Sequence, residues 1–232
     1  MRRPILMRRL AFLCFCLATA ALADPGLPQD DDDSFRIYGV HIDRTPKQPW
    51  TGLGIYLGRG YVLTPAHVAG LGFWRNPRVE VEDQDLPTRV LKDGHFHNVD
   101  ITLLGVDEQQ LPVRLGLRRL TLCQNAPWVG EDVVVATREN AARSHVMSPY
   151  LLPPNTPAKF SAVIPYAPET AGSGSGIFDA NRKCLLGIVS GKIWRNEIAQ
   201  EDGRLVSRPR DVATYFVPAS AIADFIPAAV HF

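Results

Sequence analysis

Cysteine, methionine and tryptophan are scarce in this chain of 232 residues, which contains 4, 3 and 4 of them respectively. Two of the cysteines, Cys14 and Cys16, lie in the apolar N-terminal segment. Only Cys123 and Cys184 remain in the rest of the chain, which limits it to a single disulfide pair. In an exported protein two cysteines are readily interpreted as one disulfide. Two buried free thiols remain the alternative, because sequence alone does not show whether the residues are close together.

A surplus of charge of either sign is also missing. The chain has 25 basic and 24 acidic side chains, a formal net charge of +1, and no basic stretch typical of a nucleic-acid surface. A long hydrophobic run is missing as well, since the apolar stretch at residues 10–22 is too short to span a bilayer comfortably. We therefore expect neither a nucleic-acid partner nor, once the N-terminal segment is removed, a membrane.

The first 23 residues have the features of a signal peptide. Four arginines precede the apolar stretch, and Ala21-Leu22-Ala23 forms a small-residue cleavage site. This predicts export, to the periplasm or the extracellular medium. Residues 24–35 follow with two prolines and the run Asp30–Asp33, and we expect them to form an acidic disordered tail.

Short apolar segments separated by turn residues follow the tail, and 19 prolines and 18 glycines punctuate the chain. This pattern predicts an all-β protein made of barrels or a sandwich. The one convincing helix is C-terminal, at residues 219–227, where Ile222, Phe225 and Ile226 share one face. The predicted strands are residues 36–42, 52–57, 61–64, 78–81, 101–106, 132–136, 159–164, 176–178, 184–190 and 214–217.

Three segments carry residues suited to nucleophilic catalysis. Ser173 stands between glycines in Gly172-Ser173-Gly174, before an apolar strand, as a hydroxyl presented at a sharp bend does. His67 ends the apolar strand of residues 60–68, and Asp100 opens the strand that follows it. A serine needs a base to remove its proton, and an imidazole base needs a carboxylate to fix its tautomer. Ser175 is a rival nucleophile two residues on.

Six motifs in order resemble those of trypsin-like serine peptidases of the chymotrypsin fold, above all the bacterial exported type that includes the HtrA/Deg protease domains. The histidine motif is LTPAHV at residues 63–68, and the aspartate motif is VDITLL at 99–104. The nucleophile motif is SGSGIFD at 173–179. The segments GEDV at 130–133, LGIVSG at 186–191 and TYFVP at 214–218 also match. The resemblance as a whole covers about residues 36–226.

The resemblance implies a chymotrypsin-like fold of two packed six-stranded antiparallel β-barrels with a short C-terminal helix. One serine peptidase domain would then occupy residues 36–232, without a PDZ domain. Its first barrel would span about 36–118, its second barrel about 119–218, and its helix about 219–227. The activity implied is that of a serine endopeptidase acting on protein or peptide substrates through an acyl-enzyme.

The resemblance also assigns roles to residues. His67, Asp100 and Ser173 would form the catalytic triad, and the backbone N–H groups of Ala171 and Ser173 the oxyanion hole. No cofactor and no metal are implied, although His95 and His97 alternate along the chain. The substrate cleft would be lined by Ala167, Val189, Ser190, Gly191 and Ala213, small residues that favour a modest aliphatic side chain before the scissile bond.

Two departures from the motif leave alternatives open. Ala171 replaces the usual glycine of the oxyanion hole, and its Cβ restricts the backbone angles available. Gly172 replaces the usual Asp or Asn before the serine, so we expect no activation by a freed N-terminal ammonium group. These changes motivate a second hypothesis, a catalytically impaired fold that binds proteins. An esterase using the same triad is a third. The physiological substrate and the oligomeric state stay open.

Overall fold

The computed structural model describes residues 32–43, 52–70, 76–154, 156, 162–201 and 204–232. The predicted signal peptide and residues 24–31 of the predicted tail lie outside these residues. No helix in the described ranges is long and apolar enough to cross a membrane.

Six antiparallel strands close the first barrel in the order β1-β2-β3-β6-β5-β4. Its interior is filled by aliphatic side chains and one tyrosine, among them Val40, Tyr56, Val62 and Leu104, all without solvent exposure. The strands are β1 (Gly39–Asp43), β2 (Gly52–Gly58), β3 (Tyr61–Thr64), β4 (Arg78–Val81), β5 (Gln84–Asp93) and β6 (Thr102–Val106).

The second barrel also has six antiparallel strands, in the order β8-β7-β10-β11-β12-β9. A bridge between Met147, just after β8, and Val163 of β9 joins the two outer strands. The predicted pair of six-stranded barrels is thus confirmed. The strands are β7 (Asp132–Ala136), β8 (Ala141–His145), β9 (Val163–Pro165), β10 (Gly176–Asp179), β11 (Leu185–Glu201) and β12 (Arg204–Pro218).

Helices are short in the described part of the chain. One-turn helices α1 (Ala66–Ala69) and α2 (Val113–Gly116) belong to the first barrel, and α3 (Ala219–Phe225) follows β12. The predicted C-terminal helix is confirmed, although it stops at Phe225 because Ile226 is extended. Single 3₁₀ turns occur at Ser34–Tyr38, Glu108–Gln110 and Pro149–Leu151.

The two barrels pack against each other through one apolar cluster. Ile55 and Leu63 contribute to it from the first barrel, and Phe178, Leu185 and Ile188 from the second, all with no solvent exposure. The interface lies beside the ends of β3 and β6 and beside the loop before β10. The apolar contact between the barrels is therefore made by strand residues of β2, β3, β10 and β11.

The end of the predicted disordered tail is ordered. Phe35 is buried and stacks on Phe178 with ring centroids 4.4 Å apart. Asp32 accepts two hydrogen bonds from the Arg143 guanidinium, at 2.7 and 3.0 Å. The prediction was therefore wrong for residues 32–35, and the first strand begins at Gly39 rather than residue 36. The run of aspartates in the sequence gave no indication that Phe35 is buried or that Asp32 pairs with Arg143.

Cys123 and Cys184 form the predicted disulfide, with their Cα atoms 5.1 Å apart. It connects the segment before β7 to the residue before β11. Backbone hydrogen bonds between Cys123 and Leu185 and between Leu185 and Thr121 support the same junction. The crosslink thus holds the inter-barrel connection to the second barrel.

Candidate active site

The register of β3 against β6 brings His67 and Asp100 together. Thr64 ends β3 and lies opposite Thr102, which starts β6. Because the strands are antiparallel, the residues just after Thr64 and just before Thr102 meet at the same end of the barrel. His67 does not end the strand as predicted but lies in α1, because Pro65, which cannot donate to the ladder, closes β3 and starts the helical turn.

Asp100 holds His67 by two hydrogen bonds. Its Oδ2 lies 2.7 Å from His67 Nδ1, and its Oδ1 accepts the His67 backbone N–H at 3.1 Å. The carboxylate is 2% exposed. Burial alone would raise the pKa of Asp100, but hydrogen bonds from His67 and Ser190 hold it below its ordinary value. An ionised carboxylate on Nδ1 leaves Nε2 as the basic nitrogen of a neutral ring.

Ser173 lies on a turn that rests against the first barrel. Its carbonyl oxygen accepts a hydrogen bond from the Leu53 backbone N–H at 2.9 Å, while the next N–H, of Gly174, donates to Val189 at 2.8 Å. Gly174 has a φ of +98°, and a Cβ there would lie 1.8 Å from the Leu53 carbonyl oxygen. Only glycine fits at this position. The glycine directly after the candidate nucleophile therefore allows this turn to contact the first barrel.

Ser190 connects the serine to the histidine–aspartate pair. In β11, Val189 lies opposite Phe216 and Gly191 opposite Tyr215, so Ser190 is the extra residue of a bulge. The bulge turns its hydroxyl to Asp100 Oδ2 at 2.5 Å, while its carbonyl oxygen accepts the Ser173 hydroxyl at 3.2 Å. All three predicted triad residues are thus joined through Ser190. The sequence analysis placed Ser190 in the cleft but missed this contact, which no spacing signal indicates.

The rival serine occupies a different environment. Ser175 has no solvent exposure, and its hydroxyl donates to the Gly172 carbonyl oxygen at 2.7 Å. The Ser175 backbone N–H binds the same oxygen at 3.0 Å. Ser173, in contrast, is partly exposed. The geometry favours Ser173 as the nucleophile and gives Ser175 the task of fixing the turn.

The N–H groups expected in the oxyanion hole belong to Ala171 and Ser173. Within the described residues, neither donates a hydrogen bond to the protein, although Ala171 is buried. Gly172 between them has its carbonyl oxygen bound by Ser175, which fixes the orientation of that peptide group. A Cβ at Gly172 would lie 3.0 Å from the Leu53 side chain. Two neighbouring donors without acceptors fit a site that binds an oxygen anion.

The other residues predicted to line the cleft differ in their exposure. Val189 is fully buried and Ser190 nearly so, whereas Ala167 and Gly191 are partly exposed. Ala213 lies in the apolar cluster with Ile193, Tyr215 and the barrel interface. Alternation along β12 places Ala213 on the same face as Tyr215, which lies opposite Gly191, whereas Thr214 lies on the other face opposite Lys192.

Thr214 is a residue that the sequence analysis missed. It has no solvent exposure, and among the described side chains its Oγ1 is the buried polar atom for which no hydrogen-bond partner is present. Nearby on the same face, Lys192 donates to the Tyr166 hydroxyl at 2.9 Å and to Asp211 at 3.1 Å. Those hydrogen bonds raise the pKa of Lys192, so the rim of this face carries a fixed cation.

Histidine 67 has an aromatic neighbour that the sequence did not indicate. The ring of Phe96 meets the His67 ring edge-on, with centroids 5.8 Å apart. His95 and His97 flank Phe96 in a turn rather than on a strand. Over the described residues, the one group of three candidate metal-binding side chains is Cys123, Asp179 and Cys184, and the disulfide uses both of its sulfur atoms.

Several solved structures with the same architecture are proteases. Rv3671c protease from M. tuberculosis in its active form is 20% identical, with 84% of this chain and 82% of that chain covered and a TM-score of 0.54. Kallikrein-related peptidase 10 in complex with Zn²⁺ is 18% identical (81% and 92% covered, TM-score 0.57). The MamO protease domain from Magnetospirillum magneticum is also 18% identical (83% and 97% covered, TM-score 0.51).

Comparison of the amino-acid sequence with known families and proteins identifies no family. No protein-family model matches the chain. No curated protein matches it at a significant level either. At such low identity the structural likeness establishes the fold, and this chain has the chymotrypsin-like fold of trypsin-like serine proteases.

Proposed function

We propose that this chain is an exported serine endopeptidase that hydrolyses peptide bonds through an acyl-enzyme. The observation that carries the proposal is the hydrogen-bonded connection from Ser173 through Ser190 to Asp100 and His67. Histidine, aspartate and serine in this order on two barrels form the constellation that activates a hydroxyl nucleophile. The similar folds of known proteases support the same reaction class.

Each residue has a role in the proposed reaction. Ser173 Oγ attacks the carbonyl carbon of the scissile bond, and His67 Nε2 takes the hydroxyl proton. Asp100 stays ionised because of its low pKa and stabilises the imidazolium that forms. The N–H groups of Ala171 and Ser173 bind the oxygen anion. His67 then gives its proton to the leaving amine, and water hydrolyses the acyl-serine by the same steps.

Support for export comes from two independent features. The N-terminal 23 residues have the pattern of a signal peptide, which is removed during export. The Cys123–Cys184 disulfide persists most readily in an oxidising compartment. Together they favour a protein that works outside the cytoplasm on peptide substrates.

Labelling with a fluorophosphonate tests the proposal. We expect the wild-type protein and a Ser175→Ala variant to be labelled, and a Ser173→Ala variant to remain unlabelled while folded. Peptide and ester substrates compared side by side then separate a peptidase from an esterase. A folded wild-type protein that takes no label would contradict the proposal and would favour the binding-module alternative.

A further inference from the structure

The hairpin of β11 and β12 extends well beyond the second barrel. β10 pairs with β11 only as far as Ile188, and β9 pairs with β12 only at residues 213–215. Beyond these partners the two strands continue to pair with each other, from Trp194 opposite Asp211 to Glu201 opposite Arg204. We call residues 194–201 and 204–211 the arm. Neither outer edge of the arm has a strand partner among the described residues.

One edge of the arm starts at the candidate nucleophile. The turn that carries Ser173 pairs with the β11 edge that faces away from β12, through hydrogen bonds between Gly174, Ser175 and Val189. That pairing ends at Ser190, whose carbonyl oxygen accepts the Ser173 hydroxyl. From Gly191 to Glu201, a length of about 30 Å at the usual rise per residue, the same edge has no strand partner in the part of the chain that the structure describes. A peptide that reaches Ser173 therefore lies at the beginning of this edge.

We propose that the arm is an extended binding site for the substrate segment N-terminal to the scissile bond, an inference that rests on the proposed function. An extended peptide would add to the free edge of β11 as a further strand. All strand pairs of this sheet are antiparallel. A peptide added antiparallel runs from Glu201 toward Ser190 and reaches Ser173 with its C-terminal end. The residues before the scissile bond therefore lie along the arm.

The two faces of the arm differ in chemistry. Residues directly opposite each other in the hairpin share a face, because side chains alternate along both strands. One face has exposed apolar side chains, namely Trp194 (57% exposed), Ile198 (73%) and Leu205 (77%). The other face has more basic than acidic residues: Arg195, Arg204, Arg208 and Arg210 with Glu197.

This division defines a substrate class. The carboxylate of Glu197 accepts hydrogen bonds from Arg195 at 2.9 Å and from Arg210 at 3.0 Å. These contacts order the arginine-rich face at the end of the arm nearest the barrel. A bound strand would present alternate side chains to each face. Acidic residues on one face and apolar residues on the other would complement the arm. The preferred substrates would thus have alternating acidic and apolar residues upstream of the cleaved bond.

Calorimetric binding to the Ser173→Ala variant tests the inference without turnover. The probe peptides are Ala-Ala-Pro-Val-Ala-Ala alone, the same core with six alternating Asp and Val residues added at its N-terminus, and the same core with alternating Lys and Val. A fourth peptide has the Asp/Val extension at its C-terminus. A few added strand hydrogen bonds make the N-terminal Asp/Val peptide bind about 10-fold more tightly than the core. The fourth peptide should gain nothing.

Variants of the arm identify where the gain arises. Replacing residues 196–209 by Asn-Gly closes a two-residue turn between Arg195 and Arg210, and should abolish the gain. Arg204→Glu should reduce it several-fold, whereas Arg118→Glu, at another exposed arginine, should not. Leu205→Thr should also weaken binding, with Leu117→Thr as the control of matching exposure (75% against 77%). Thermal unfolding verifies that each variant is folded.

Several outcomes would overturn the inference. Equal affinities for the core and the extended peptides would do so, as would a gain that survives removal of the arm or one that follows C-terminal extension. Concentration-dependent dimers that disappear with Leu205→Thr, without any effect on peptide affinity, would instead assign the arm to a second copy of the chain. Fluorophosphonate labelling is scored separately. If the protein is labelled but the extended peptide binds no more tightly than the core, only the binding role of the arm is refuted. If the protein is not labelled but the extended peptide binds more tightly, only the proposed peptidase activity is refuted.

Discussion

Replacing Ser190 by alanine is the sharpest test of the hydrogen-bond geometry in the cleft. The substitution removes the hydroxyl that donates to Asp100 Oδ2 at 2.5 Å, at a site where both residues are almost completely buried. Asp100 keeps its two hydrogen bonds from His67. A hydrogen bond to a charged group contributes about 1.5–3 kcal/mol, against about 1 kcal/mol for a neutral one. At neutral pH we expect Ser190→Ala to lower the free energy of unfolding by about 2 kcal/mol.

The effect should depend on pH in a defined direction. The folded pKa of Asp100 lies below its ordinary value of 3.8, so the stability from its ionised form is present above that value and is lost as pH falls through the folded pKa. Below the folded pKa the lost hydrogen bond is a neutral one. The cost of Ser190→Ala should therefore shrink to about 1 kcal/mol in strong acid.

Guanidinium unfolding at pH 7 and in strong acid, below the folded pKa of Asp100, measures both quantities. Ser175→Ala is the matched control, because Ser175 is equally buried but donates to the neutral carbonyl of Gly172. Ser175→Ala should lower the free energy of unfolding by about 1 kcal/mol at every pH. If Ser190→Ala cost the same at both pH values, or stabilised the protein, the charge-assisted bond to Asp100 would be refuted.

Two further predictions concern the second barrel. Burial, together with the charge of Asp179 and a hydrogen bond to it, raises the pKa of Glu131; stability from its neutral form is present at low pH and lost as pH rises through the folded pKa. Glu131→Gln should therefore raise the urea midpoint at pH 8 but not at pH 4, and equal shifts at both would contradict this. Removing the disulfide with Cys123→Ala and Cys184→Ala together should cost about 4 kcal/mol for a loop of 61 residues in the chain-entropy model. Denaturant unfolding measures the loss, and an unchanged midpoint would show that the crosslink restrains nothing in the unfolded chain.

The predicted strands that match the structure are those with a buried face. Residues 61–64, 78–81 and 132–136 were predicted with the observed bounds, because alternating or continuous burial leaves a periodic apolar pattern in the sequence. β5 and β8 were missed. Most of their side chains are exposed or half-exposed, so they show no apolar periodicity. Their strand conformation depends on backbone pairing with the adjacent strands.

The arm was missed for the same reason on a larger scale. The sequence analysis ended one strand at Ser190, where the apolar pattern stops, and began the last strand at Thr214, where it starts again. Most residues between are charged or polar, and the scattered apolar ones, such as Trp194, Ile198 and Leu205, follow no strand periodicity. Cross-strand hydrogen bonds and the contacts of Glu197 with Arg195 and Arg210, rather than a hydrophobic core, hold this hairpin together. Such partners are distant or unpatterned in sequence, so periodicity does not reveal them.

The sequence by itself determined which residues are the candidates for the catalytic triad. A glycine-flanked serine, a histidine and an aspartate each follow or precede an apolar strand, and that arrangement is local. Only the tertiary structure decided how these groups meet. The register of β3 on β6 pairs His67 with Asp100, and a one-residue bulge turns Ser190 between Asp100 and Ser173. Register and bulges result from packing between strands far apart in the chain, which is why residue order alone leaves them open.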